Sequence, residues 1–257
     1  MKKKWLLSAL TILLLMMFPF STEATSSYLS GHSSKGTFEA NMPPLQKGEF
    51  AVVQIKKGDA SYNYKLNKKD TFPNPFGNGK VDIYLAVNKK GSYQIIEHKQ
   101  VTMKANEKTQ ALQRTVLTPG SKAPHVKYTL DTKFIGWKKW NSDQKVRKVH
   151  EYVTKNFSYD YARENNQGAW YVPDYSRFMK NRMGTCYDMA SLSGSLLREM
   201  GVPTRLVMGY PKNYGYHAWN EVYVNGKWLV IDTTFDLQQR VKTPYKKATD
   251  YKVSYRF

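Results

Sequence analysis

Cysteine is nearly absent from this sequence: Cys186 stands alone among 257 residues. One thiol cannot close an intrachain disulfide, so no disulfide framework holds the fold. A lone thiol and five scattered histidines also fall short of the three or four convergent ligands that zinc requires. Acidic residues are scarce, 20 against 40 lysines and arginines, for a formal charge of +20. Long apolar runs are missing beyond the first twenty residues, and no internal repeat is visible. Hydrophobic residues nevertheless make up 41% and charged residues 23% of the chain, ordinary globular usage that excludes a disordered polymer.

The first residues read as an export signal. Lys2, Lys3 and Lys4 form a basic start, an apolar run extends from Trp5 to Phe20, and Thr22-Glu23-Ala24 offers a small-residue cleavage site. The run is short for a membrane span of about 20 residues and is broken by Pro19, so cleavage after Ala24 is expected, with no cysteine nearby to carry a lipid. Removing residues 1–24 takes away three lysines and one glutamate and leaves 37 basic against 19 acidic residues, or +18. A secreted, extracytoplasmic protein with that field is expected to meet an anionic cell-wall polymer or membrane surface, and no nucleic acid.

Beyond the leader, residues 25–48 read as a polar lead-in closed by Pro43-Pro44. From 49 to 118 the apolar residues alternate: Ala51, Val53, Ile55; Tyr62, Tyr64, Leu66; Val81, Ile83, Leu85, Val87. Period two means half-buried strands, and Gly58-Asp59 and Asn88-Lys89-Lys90-Gly91 supply the turns. A further strand pair is expected from Tyr93 to Met103, which completes a small β-sandwich. Residues 119–140, opened by Pro119-Gly120, read as a linker, so the two halves are expected to separate at a boundary between 115 and 140.

From 141 to 257 the pattern turns helical and then returns to strands, giving an α+β domain. Ser142 is placed to cap a helix carrying Val146, Val149 and Val153. Met189, Leu192, Leu196 and Met200 line one stripe of a second helix stopped by Gly201 and Pro203. Strands follow over Arg205 to Gly209, His217 to Tyr223 and Trp228 to Asp232, with Asn225-Gly226 as a hairpin turn between the last two.

Cys186 falls just before or within the first turn of that second helix, where unpaired N–H groups and the positive end of the helix dipole stabilise an anion. A thiolate is the nucleophile that acyl transfer needs. Its activating imidazole needs a third group to fix the ring, and an antiparallel pairing across the Asn225-Gly226 turn folds His217 beside Asp232. The remaining histidines, His32, His98, His125 and His150, lack such a neighbour and read as surface or capping residues. Trp219, beside His217, reads either as a wall of the substrate channel or as a buried aromatic on the sheet.

Gly184-Thr185-Cys186-Tyr187-Asp188-Met189-Ala190, the block from Leu196 to Arg205, Gly209-Tyr210, His217-Ala218-Trp219-Asn220-Glu221-Val222-Tyr223 and Trp228 to Thr234 resemble, in order and spacing, the bacterial transglutaminase-like core. The resemblance covers residues 142–236, including Phe157-Ser158-Tyr159-Asp160. It implies a papain-like arrangement, helices packed on an antiparallel sheet, with Cys186 as nucleophile, His217 as general base and acid and Asp232 as orienter, and with no cofactor. One departure is visible: Asp232-Thr233-Thr234 stands where the family commonly has Asp-Pro-Thr. The implied activity is attack on an amide or peptide carbonyl of a protein or peptide substrate through a thioester, ending in transamidation, deamidation or proteolysis. The alternative is a catalytically silent wall- or surface-binding scaffold.

Overall fold

The structure, a computed structural model, describes residues 27–166, 168 and 170–257. The leader expected over residues 1–24 lies outside the described residues.

The first half is antiparallel sheet. In chain order it contains β1 (Leu29–His32), β2 (Thr37–Ala40), β3 (Phe50–Lys57), β4 (Ala60–Leu66), β5 (Asp70–Pro73), β6 (Gly79–Lys89) and β7 (Ser92–Met103). They form a three-stranded sheet, β1-β2-β5, and a four-stranded sheet, β4-β3-β6-β7. The alternating residues up to Leu85 share one core, in which Val53, Ile55, Ile83 and Leu85 are fully buried beside Phe38 and Phe72, whose rings stack at 5.5 Å.

Two expectations need correction here. The lead-in over 25–48 carries β1 and β2, because Leu29, Phe38 and Ala40 are spaced too far apart to show a period yet are all buried. The strand pair expected from Tyr93 to Met103 is one long strand, β7. A register shift at Leu85/Ala86 on its partner β6 absorbs the break in alternation.

The second half places helices on a five-stranded sheet. A short helix α1 (Glu107–Gln110) precedes α2 (Pro124–Lys133) and α3 (Ser142–Asn156). There follow β8 (Ser158–Tyr159), α4 (Tyr161–Asn166), α5 (Tyr175–Asn181), β9 (Met183–Gly184) and α6 (Cys186–Glu199). β10 (Thr204–Pro211), β11 (His217–Val224), β12 (Lys227–Ile231), α7 (Thr233–Gln239), β13 (Tyr245–Lys246) and β14 (Tyr251–Arg256) complete the chain. The sheet order is β13-β12-β11-β10-β14. Asn225 and Gly226 take positive φ values of 50° and 85°, the twist a two-residue hairpin requires. The α6 stripe of Met189, Leu192, Leu196 and Met200 is buried against α3 and the sheet.

Asn141, one residue before the expected Ser142, caps α3 through a reciprocal capping box with Gln144. The stretch read as a linker over 119–140 holds α2, which buries Val126 and Leu130 against the helical core.

The two halves also share a core. Tyr187, Ala190, Leu206, Met208, Ala218 and Phe257 join the same cluster as the sandwich residues, and Tyr62 packs edge-on against Tyr255 at 5.0 Å and Phe257 at 4.9 Å. Arg198, buried inside α6, ties the seam: it donates to the carbonyls of Thr204 (2.7 Å), Gln113 (2.6 Å) and Phe257 (2.8 Å) and to Thr118 Oγ1 (2.5 Å). Burial pushes its guanidinium down to about 9. Apolar surface continuous across the seam stands against the expected separability at 115–140.

Candidate active site

Cys186 is fixed by what precedes it. β8 and β9 pair in parallel, Ser158 with Met183 and Tyr159 with Gly184, and Asp160 N–H donates to Gly184 O at 3.0 Å, so the Phe157–Asp160 segment holds the approach. Gly184 is required there: a Cβ would sit 2.5 Å from the Phe178 ring and 2.8 Å from Asp188 Cβ. Thr185 then caps α6, its N–H donating to Asp188 Oδ2 at 2.8 Å and its hydroxyl to the same oxygen at 3.0 Å. Tyr171 O–H donates to the other oxygen, Oδ1. Asp188 is thus buried with both carboxylate oxygens accepting hydrogen bonds, and Cys186 occupies the first helical position. Its own N–H has no acceptor inside the helix, and its thiol is half-buried.

His217 opens β11 and Asp232 follows β12, so the hairpin brings them together as the turn chemistry predicts. His217 Nε2 lies 3.1 Å and 3.0 Å from the two Asp232 oxygens. Asp232 is also the N-cap of α7, accepting from Phe235 N–H at 3.0 Å, and Tyr251 O–H donates to its Oδ2 at 3.1 Å. Both His217 (7% exposed) and Asp232 (1%) are buried. Burial opposes charge on the His217 ring, but the Asp232 carboxylate and then Cys186 outweigh it by charge and hydrogen bonding, and the imidazole is pushed up to about 10. With Nε2 committed to Asp232, Nδ1 is the nitrogen left for the thiol. Thr233 stands at the first position of α7, where the missing family proline would sit, and the carboxylate geometry is intact.

An aromatic loop borders the site. Tyr210 and Tyr216 meet edge-on at 5.3 Å, and Tyr214 packs over the His217 ring at 5.9 Å and Phe235 at 5.8 Å. The hydroxyls of Tyr216 and Tyr159 are raised chiefly by burial and also by Cys186. Sequence reasoning missed this loop, though Tyr210-Pro211-Lys212-Asn213-Tyr214-Gly215-Tyr216 directly before His217 was its signal. Tyr251 left none, lying 19 residues past Asp232 and outside the resemblance.

Trp219 is a core residue, 1% exposed and packed 5.1 Å from Tyr251, which places it among the buried aromatics of the sheet. His150, read as a surface or capping histidine, is buried instead and meets Asp236 Oδ2 at 2.8 Å. It occupies the inner face of α3 one residue after Val149, a position the charged neighbours obscured. Among the described residues, no group of three or more His, Cys, Asp or Glu side chains could hold a metal ion. Nor, among them, is any helix long and apolar enough to cross a membrane.

Residues 128–233 match the family model of the transglutaminase-like superfamily, so the chain carries a transglutaminase-like core over that segment. The matched segment begins inside α2. The chain is 30% identical over 105 residues to the kyphoscoliosis peptidases of Homo sapiens and Mus musculus, a match covering 36% of this chain. It spans 15% of the length of those relatives. Among solved structures, a candidate cysteine protease from Cytophaga hutchinsonii aligns at 16% identity and a TM-score of 0.46, over 86% of this chain and 75% of its own. LapG of Legionella pneumophila aligns at 19% and 0.40, over 54% and 76%.

Proposed function

We propose that this chain is an exported, extracytoplasmic cysteine-nucleophile enzyme acting on amide or peptide carbonyls of a protein or peptide substrate through a thioester. Cys186 is the nucleophile, His217 the general base and acid, and Asp232 the orienter. The observation that carries this reading is the doubly engaged Asp232, which holds His217 by one ring nitrogen beside a half-buried thiol at a helix N-terminus.

In the first half-reaction the Cys186 sulfur attacks the carbonyl carbon. The C–N bond then breaks, and the His217 proton passes to the departing nitrogen, leaving ammonia or an amine and a thioester. In the second, His217 takes a proton from the incoming group. Water yields the acid and an amine yields a new amide, and either frees the thiol. The Cys186 N–H is the candidate donor to the developing oxyanion.

The reading is tested by incubating the folded protein with a protein mixture, peptides and a labelled primary amine, and following thioester-dependent products by mass spectrometry. Expected are ammonia release, amine incorporation or cleavage, all lost in Cys186→Ala. A protein that turns over none of these, and whose thiol ignores alkylating reagents in the folded state, belongs to the silent wall- or surface-binding alternative.

A further inference from the structure

The corner between α2 and α3 is unlike the rest of the surface. The turn Lys133-Phe134-Ile135-Gly136-Trp137-Lys138-Lys139-Trp140 buries Phe134 and leaves Ile135 77% exposed, the most exposed large hydrophobic side chain among the described residues. Gly136, at φ 81°, makes the reversal that turns Ile135 outward. Trp137 and Trp140 are half-buried, their inner parts packed on the helical core. From 133 to 148 there are six cations, Lys133, Lys138, Lys139, Lys145, Arg147 and Lys148, against a single carboxylate, Asp143, which Arg147 already occupies at 2.8 Å. Lys133, Lys138 and Lys139 are exposed and have no ion pair among the described residues.

We infer that this corner docks the protein on an anionic lipid bilayer, with Ile135 and the edges of Trp137 and Trp140 entering the headgroup region and Lys133, Lys138 and Lys139 meeting the lipid phosphates. An exposed aliphatic tip, flanked by tryptophans and unpaired lysines, matches the chemistry of that interface. One isoleucine and two ring edges offer far less apolar surface than the ~1,000 Å² that a specific protein partner needs. A soluble anionic polymer would use the lysines and leave Ile135 without a role.

The placement leaves the thiol free. Lys145 Nζ lies 5.5 Å over the Trp137 ring and donates to Met200 O at 2.8 Å, so the corner abuts the C-terminal end of α6. Cys186 sits at the other end of that 14-residue helix, roughly 20 Å away at 1.5 Å per residue.

The inference goes beyond the proposed chemistry, and its test needs no turnover. All described strands and helices fall within residues 27–257, so residues 25–257 are used, without the apolar leader segment that would bind lipid by itself. Sedimentation with neutral phosphatidylcholine vesicles is compared with vesicles containing about one-third phosphatidylglycerol, over a salt series, with polyglycerol phosphate as competitor. Strong binding to the anionic vesicles alone is expected, weakening as salt rises. Lys138→Gln/Lys139→Gln should lose roughly five-fold per lysine, about 25-fold together, and Ile135→Ser about tenfold. Native-like circular dichroism in each variant keeps the comparison valid, and both changes are on exposed side chains. Equal binding to neutral vesicles overturns the inference. So does anionic binding that Ile135→Ser leaves unchanged, or binding that the polymer displaces fully in the wild type and the Ile135 variant alike.

Discussion

Among the described residues, two buried His–Asp pairs have carboxylates four residues apart in sequence, and they have opposite surroundings. His217 meets Asp232 at the cap of α7, while His150 meets Asp236 inside its first turn. Asp236 also takes Lys246 Nζ at 2.5 Å, and this second pair is closed off between α3, α7 and β13. His217 lies instead beside a half-buried thiol and beneath a loop whose tyrosines reach solvent. A cation as third partner makes one pair a clamp between elements, and a nucleophile as third partner makes the other a candidate acid–base unit. Residue type alone does not distinguish them; the third group does.

The two histidines should therefore fail differently on removal. His217→Ala should lower any amide turnover by about 10²–10⁴-fold, the usual worth of a positioned acid–base group, and slow Cys186 alkylation at pH 7. Asp232→Ala should slow alkylation less, because it acts through the ring. His150→Ala should leave alkylation of the folded protein within about fivefold of the wild type. It should lower unfolding stability by about 1–3 kcal/mol, since Asp236 loses a buried hydrogen-bond partner while Lys246 still pairs with it. Parallel alkylation kinetics and denaturant unfolding decide this, and a His150 variant as impaired in alkylation as His217→Ala would erase the distinction.

The sequence carried the α6 stripe, the Asn225-Gly226 hairpin and with them the His217–Asp232 contact, because strong periodicity and a specific turn leave little freedom in register. It did not carry β1 and β2, whose four-residue strands are too short to display a period. Nor did it carry His150: a single buried polar residue among lysines and glutamates reads as part of the solvated face until the opposing helix is known. The shared core was hidden for a similar reason. Tyr62 lies almost 200 residues from Tyr255 and Phe257, and nothing local marks it as their neighbour.

A smaller effect sharpens the contrast through pH. The His217 imidazole is raised from its ordinary 6.5 to about 10, so its charged form is favoured by folding. That contribution is complete below about 6.5 and is lost as pH rises through about 10. Unfolding stability of the wild type should therefore decline across that window, and the decline should flatten in Asp232→Asn, where the carboxylate that favours the charged ring is gone. Chemical denaturation at fixed intervals from pH 6 to pH 10 measures it. Identical slopes in the two proteins would mean that Asp232 does not hold the charge.

The smallest expected effect concerns Thr233, where the chain departs from the family's Asp-Pro-Thr. Thr233 is the first residue of α7, a position whose N–H has no acceptor within the helix, and the preceding Asp232 has φ −133° and ψ 89°, outside the α region that a following proline disfavours. Proline at that position is preorganised for a helix and narrows the unfolded ensemble by about 0.4–1 kcal/mol. Against this stands the loss of the buried threonine side chain, 3% exposed, for which no hydrogen bond is present among the described residues. The two terms are of similar size, so Thr233→Pro should change unfolding stability by less than about 1 kcal/mol and leave the Cys186 alkylation rate unaltered. A loss of several kcal/mol would show that the Thr233 N–H or hydroxyl supports α7. Slowed alkylation at unchanged stability would show that the proline-free backbone sets the Asp232 carboxylate against His217.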